Sequence, residues 1–287
     1  MIKGSLQNTS FLGKIVQLFA VLFFAIILIT TLTTLLTDSD LNNINTVKRM
    51  QLIQSLILFV GSPLLLAFLW SDKPLIYLQL KTSNKPSIYL LVILTMITAL
   101  PFINLITELN RQISLPDSFA PIENWMKATE LQLEQITMKM MAVHSITDLI
   151  FNLLLVAVLA GLGEEFFFRG ILQKIFGEWR NAILAIWMAA FIFSAIHLQF
   201  YGFFPRMLLG AFFGYLLFWS GNLGLPILAH TVNNGLAVLF YYLKFNGVKM
   251  PDLDTIGTGD TLYLAAISFV VTVFLIYSTR KKLQNLL

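Results

Sequence analysis

The 287-residue chain has no cysteine. Disulfides, thiolate metal sites and cysteine nucleophiles are excluded, so any hydrolytic chemistry must come from Glu, Asp, His, Ser, Thr or water. Charge is also scarce, at 12% of residues, against about 25% in soluble domains. Hydrophobic residues make up 57% of the chain, and the mean hydropathy is +0.78. This is the composition of an integral membrane protein. The net charge of +4 is small and no basic cluster suggests nucleic acid; the positive charge suits a membrane surface better. No HExxH, GxSxG, P-loop or GxGxxG pattern occurs, so the usual zinc-peptidase helix, serine elbow and phosphate cradles are missing.

What the chain does have is apolar runs near the ~20 residues that span a bilayer. They predict an all-α polytopic bundle of eight transmembrane helices: Leu12 to Leu36, Leu52 to Trp70, Ile88 to Thr107 (kinked at Pro101), Asp148 to Phe176, Asn181 to Leu198, Arg206 to Ser220, Leu225 to Leu243 and Leu262 to Ser278. The first run is too long for a signal-peptide core, and no small-residue cleavage site follows it. The segment Glu108 to Met140 breaks the pattern. Its amphipathic part from Glu123 reads as an interfacial helix or lid, or as a solvated connector. Three parts follow: residues 1–147 with the N-terminal spans and interfacial segment, 148–243 as a catalytic core, and 244–287 with a loop, the last span and a basic tail. Arg280, Lys281 and Lys282, with Lys73, Lys81 and Lys85, predict cytoplasmic termini in the cell (inner) membrane, although Lys48 and Arg49 oppose this.

Glu164, Glu165 and Arg169 interrupt the fourth span in Gly161-Leu-Gly-Glu-Glu-Phe-Phe-Phe-Arg-Gly170. Each charge at a bilayer centre costs about 2.5–3.5 kcal/mol on insertion scales. Glu165 and Arg169 are four residues apart and share a helix face in the favourable order for an ion pair. Glu164 points about 100° away and is free to face something else. The competing reading is that all three charges only tie helices together. His197 ends the fifth span, one turn after Phe193. Glu164 and His197 lie about equally far from the turn near Arg180, so an antiparallel hairpin sets them at similar depth, where they can share one water for general-base attack. His230 and Asn234 are also four apart and can donate to an oxyanion. Alternatively Asn234 satisfies a backbone group, and Asn233 can take its place. His230 lies shallower than Glu164 by simple counting, unless the turn Gly221 to Pro226 dips into the membrane. Ser194 lacks a positioned base. His144 reads as interfacial, Phe166, Phe167 and Phe168 as lipid-facing or core, Trp125, Trp179, Trp187 and Trp219 as anchors or packing, and Asn152 and Asn181 as hydrogen-bonding across helices.

Glu164-Glu165-Phe-Phe-Phe-Arg169, Phe193-Ser-Ala-Ile-His197 and His230-Thr-Val-Asn-Asn234 resemble, in that order, the EExxxR, FxxxH and HxxxN motifs of the CPBP family, the CAAX proteases and bacteriocin-processing (Abi) enzymes. The resemblance covers about Asp148 to Leu243. It implies an eight-helix intramembrane endopeptidase similar to the Ras-converting CAAX endopeptidase, acting on a membrane-associated peptide or protein that reaches the site from the bilayer. By that likeness Glu164 and His197 activate water, Glu165 and Arg169 orient the site, and His230 and Asn234 stabilise the oxyanion. A glutamate-type scheme with no cofactor is the expectation, because Glu165 is committed to Arg169 and no short His-x-x-x-His pair is present. The alternative is Zn²⁺ on Glu164, His197 and His230. Two non-proteolytic readings stand beside it: a membrane immunity or scaffold protein, and a proton-coupled transporter. The transporter reading is opposed by the absence of an inverted repeat of the charged motif.

Overall fold

A computed structural model describes residues 2–37, 40, 43–80 and 85–285. Lys81, one of the residues used to orient the chain, lies outside the described residues. Ten helices organise them: α1 (Phe11–Leu36), α2 (Ile44–Trp70), α3 (Pro86–Thr98), α4 (Leu100–Arg111), α5 (Ala120–Met141), α6 (Ile146–Trp179), α7 (Ala182–Ala195), α8 (Phe203–Ser220), α9 (Gly224–Phe245) and α10 (Leu262–Gln284). No strand occurs among the described residues. The fold is an all-α membrane bundle.

Local chemistry explains where the helices depart from the hydrophobic runs. α6 starts before Asp148 because Ser145 caps it: the Ser145 hydroxyl accepts from Asp148 N (3.0 Å) and donates to the Asp148 carboxylate (2.6 Å). Asp148 is therefore the acidic third residue of the helix, inside its first turn, where a carboxylate complements the helix N-terminus. α7 starts where Asn181 accepts from Leu184 N at 2.9 Å, so Asn181 caps its own helix instead of bridging two. α8 ends on Gly221 in the left-handed region (φ 58°), a conformation with no steric cost for glycine. The expected kink at Pro101 is a 42° bend between α3 and α4. α10 runs beyond Ser278 and takes the basic tail into its last turns, where cations complement the helix C-terminus.

Among the described residues five helices are long and apolar enough to cross a bilayer, or six if the bent α3–α4 pair counts as one span. The expected eight include two more, α7 and α9. α7 has 14 residues, about 21 Å at 1.5 Å per residue, shorter than the ~30 Å hydrocarbon core. α9 is long enough but carries His230, Thr231, Asn233 and Asn234. His230 lies on one of the two helices that fall short as spans, and His197 lies two residues beyond the end of the other.

α6 is the axis of the bundle, with α1 and α2 on one flank, α7 and α8 on another, and α9 along a third. Phe166, Phe167, Phe168, Ile171 and Ile175 of α6 are buried in one cluster with Leu66 and Trp70 of α2 and Phe193 of α7. The phenylalanines after the glutamates are therefore core. α9 closes on α6 at Gly161, where an added Cβ would lie 3.0 Å from Thr231 Oγ1. α3 and α4 pack against α10, and α5 lies over the connection from α7 to α8, where Trp125 meets Phe200 with ring centroids 5.3 Å apart. Asn152 donates to Met140 O at 2.9 Å, tying α6 to α5.

Candidate active site

Glu164 and Glu165 sit near the middle of α6, between two π-helical stretches, Leu153–Leu159 and Phe166–Leu172. π-bulges inside α-helices occur frequently at functional sites, because they rotate the side chains that follow relative to those before. Glu165 is fully buried. Its Oε1 accepts from Arg169 Nη1 at 2.7 Å and lies 2.8 Å from His230 Nδ1. Arg169 is also enclosed. It donates from Nη2 to Gly210 O at 2.8 Å, and its guanidinium lies 4.7 Å from the Phe193 ring centre and 5.3 Å from that of Phe213. Phe213 stacks on His230 at 5.1 Å. The pair is enclosed and bonded through Glu165 Oε1 and both Arg169 terminal nitrogens, while Glu165 Oε2 and Arg169 Nε are buried without a partner.

Glu164 turns the other way. Its Oε2 is buried without a hydrogen-bond partner, 3.9 Å from His197 Nε2 and 3.7 Å from His230 Nε2. These gaps are too long for direct hydrogen bonds, and are of the kind a water molecule bridges. The opposite nitrogen of His197, Nδ1, lies 2.6 Å from Phe193 O. A carbonyl only accepts, so Nδ1 carries the proton, and in the neutral ring Nε2 presents a lone pair towards Glu164. Exposure is graded across the cluster: the His197 side chain is 29% exposed, Glu164 15%, His230 5% and Glu165 0%. The ion pair is the sealed floor, and Glu164 with His197 forms the open end.

Glu164, Glu165, Arg169, His197 and His230 thus meet in one place, from two helices, α6 and α9, and the segment just after α7. Asn234 stands one turn further along α9. Its amide donates to Val156 O at 3.0 Å, and its carbonyl accepts from Asn233 at 3.2 Å. His230 reaches the glutamates because the turn before α9 is itself buried. Asn222 and Leu223 are enclosed, and Leu223 N donates to Gln79 O at 2.9 Å in the connection after α2. The turn is shorter than expected, since α9 is already helical at Gly224. Ser194 is committed to Phe203 O (2.7 Å) and His144 is exposed. Glu164, His197 and His230 do not fit a zinc site as placed: among the described residues no group of three or more His, Cys, Asp or Glu side chains is arranged to hold a metal ion.

The motif reading missed the α8 side of the site. Gly210 and Gly214 present their carbonyls to Arg169 and Gln173, which are likewise four residues apart on α6. A Cβ on Gly210 would meet the Phe193 ring at 3.1 Å and Arg169 Nη2 at 3.2 Å. The signal was present as Gly210-Ala-Phe-Phe-Gly214, a small-xxx-small helix contact in an apolar run.

Residues 146–236 match the family model Type II CAAX prenyl endopeptidase Rce1-like. Over this segment the chain is similar to that family. The match agrees with the resemblance carried by the three motifs, and the Rce1-like segment contains all six candidate residues, from Glu164 to Asn234. Over 121 residues the chain is 34% identical to an uncharacterized 24.3 kDa protein of Escherichia coli, covering 40% of this chain and 55% of that protein. Over 123 residues it is 30% identical to the uncharacterized protein YpbD of Bacillus subtilis (strain 168), covering 42% of this chain and 58% of that one. The chain thus spans a little over half the length of these curated relatives. No solved structure matches.

Proposed function

We propose that this protein is a CAAX-type intramembrane endopeptidase of the glutamate type, acting on a membrane-associated peptide or protein. The observation that carries the reading is Glu164 Oε2, a buried carboxylate oxygen without a hydrogen-bond partner, facing two imidazole nitrogens at 3.7 and 3.9 Å. A water between Glu164 Oε2 and His197 Nε2 donates one proton to each acceptor and turns a lone pair towards the scissile carbonyl. Attack forms the C–O bond as Glu164 takes the proton. The carbonyl pair becomes an oxyanion. The proton then passes to the amide nitrogen, the C–N bond breaks, and an acid and an amine leave.

Asn234 keeps one amide hydrogen beyond its bond to Val156 and serves as the oxyanion donor in this scheme. His230 shares that role only in its doubly protonated form, because Nδ1–H is held by Glu165. Glu165 and Arg169 fix His230 and the α6–α8 contact without touching substrate. No step is routed through a metal.

The test is cleavage by purified protein in detergent or liposomes of a quenched fluorescent peptide carrying a lipidated cysteine near its C-terminus. Glu164→Gln and His197→Ala are expected to lower kcat by roughly 10²- to 10⁴-fold, the usual contribution of a general base. Wild-type activity is expected to survive chelation. Undiminished cleavage by Glu164→Gln protein refutes the assignment, and loss of activity to chelator with recovery on Zn²⁺ addition refutes its metal-free form.

A further inference from the structure

Two hydrogen-bond donors far from the glutamates lack an acceptor. Lys174 of α6 sets its ammonium 4.5 Å from the centre of the Tyr77 ring, which stands in the connection after α2. Both side chains are half-buried. Among the described residues no carboxylate lies within ion-pair distance of Lys174. The Tyr77 hydroxyl is enclosed and has no hydrogen-bond partner. Glu178, one turn further along α6, is in electrostatic range of Lys174 but is engaged by Lys14 of α1. Lys14 also lies against Trp70, so its charge is already met on two sides. Burial raises the Tyr77 hydroxyl pKa above its ordinary value, which keeps the group a donor at neutral pH.

The pair sits near one end of the bundle. α1 begins there and α2 and α6 end there, with Phe11 stacked on Trp179 at 5.7 Å. Lys174 lies five residues before the end of α6, about 7.5 Å along the axis. Exposed Trp179 and Arg180 mark the level of the membrane surface just beyond it. The same end is basic. Lys73 and Lys85 are exposed there, and α10 adds its basic last turns, since Leu283 shares a cluster with Ile88 at the start of α3. Such a field gathers anions. Two convergent donors, one of them charged, match two oxygens of a single phosphate group. At this depth, between packed helices and lipid, the bilayer itself supplies that group.

We propose that Lys174 and Tyr77 form a binding site for the phosphate of an anionic phospholipid, seated between α6 and the connection after α2. The site lies apart from the catalytic cluster, and the inference stands or falls independently of the proteolytic reading.

The experiment titrates short-chain phosphatidylglycerol into the purified full chain in a neutral detergent and counts bound lipid by native mass spectrometry. Matched phosphatidylcholine and inorganic phosphate are the comparison ligands. Wild-type protein is expected to bind phosphatidylglycerol saturably and in preference to both. A charge-assisted hydrogen bond corresponds to roughly 10- to 100-fold in affinity and a neutral one to roughly 2- to 10-fold. Lys174→Gln is expected to weaken binding by the first factor, and Tyr77→Phe, which keeps the ring and its packing, by the second. Lys174→Arg is expected to retain most of the affinity. Changing Lys281→Gln and Lys282→Gln together is expected to weaken binding less than Lys174→Gln does, and a loss as large would overturn the site in favour of diffuse attraction to the basic end. Equal binding of phosphatidylcholine overturns it as unselective lipid, and equal binding of inorganic phosphate overturns the lipid as its source. Unchanged affinity in Lys174→Gln overturns it outright. If Lys174→Gln does not fold, unchanged affinity in Tyr77→Phe has the same force.

Discussion

Arg169 and Glu164, five positions apart in one helix, are expected to fail in different ways when changed. Arg169 is enclosed with Glu165 at 2.7 Å, so Arg169→Ala strands a buried carboxylate. Breaking such a pair costs about 3–5 kcal/mol, and thermal unfolding in detergent is expected to show a large loss of stability beside the loss of activity. Glu164 makes no hydrogen bond through Oε2. Glu164→Gln is therefore expected to unfold at the wild-type temperature while losing cleavage. Equal destabilisation by both changes would return Glu164 to a purely structural role. The i,i+4 pairing of Glu165 with Arg169 was legible in the sequence, because one helix fixes both residues. The contact of His230 with Glu165 was not, since the two are 65 residues apart and the depth of α9 depends on a turn buried under Gln79.

At the scale of elements, the glycines separate contact from mere composition. Gly177 of α6 has nothing within 4 Å of an added Cβ, whereas one on Gly210 would press on Phe193, Arg169 and the Ala190 backbone at 3.1–3.3 Å. Gly177→Ala is expected to stabilise the protein by about 0.5–1 kcal/mol, by relieving the entropic cost of glycine in a helix. Gly210→Ala is expected to destabilise it by about 1–3 kcal/mol through overpacking and to lower kcat by loosening the α6–α8 contact that holds Arg169. Melting temperatures of the two variants in one detergent check both signs. Hydropathy placed the start of α6 two residues late, at Asp148, because Ser145 begins that helix with side-chain hydrogen bonds that hydropathy does not register, whereas α7 begins where expected, at its cap Asn181. The short length of α7 went unread because its apolar run continues past Ala195 into residues that do not form regular helix.

For the whole molecule, apolar length establishes a membrane protein, and the basic end of α10 bears on its orientation. We propose that this end faces the cytoplasm. The chain has no cysteine, so single introduced thiols report without background. Gln284→Cys is expected to react with a membrane-impermeant reagent only after cells are opened, and Val248→Cys, across α10 from it, in intact cells. The reverse pattern would invert the proposed orientation.

The sequence by itself determined the class of the molecule and the identity of its reactive groups. Long apolar runs must lie in lipid, and charges within them must find partners, whatever the packing. Helix phase within α6 already paired Glu165 with Arg169 and turned Glu164 away, and only the tertiary structure decided the partners that come from other helices. Glu164 and Glu165 are adjacent in the chain, yet one is sealed against Arg169 and His230 while the other faces the open end beside His197. That division follows from helix phase, from the closeness that Gly210 and Gly161 permit, and from the depth at which α9 begins. The phase belongs to α6 alone, whereas the closeness and the depth are properties of helices packed against one another, and no single helix carries those.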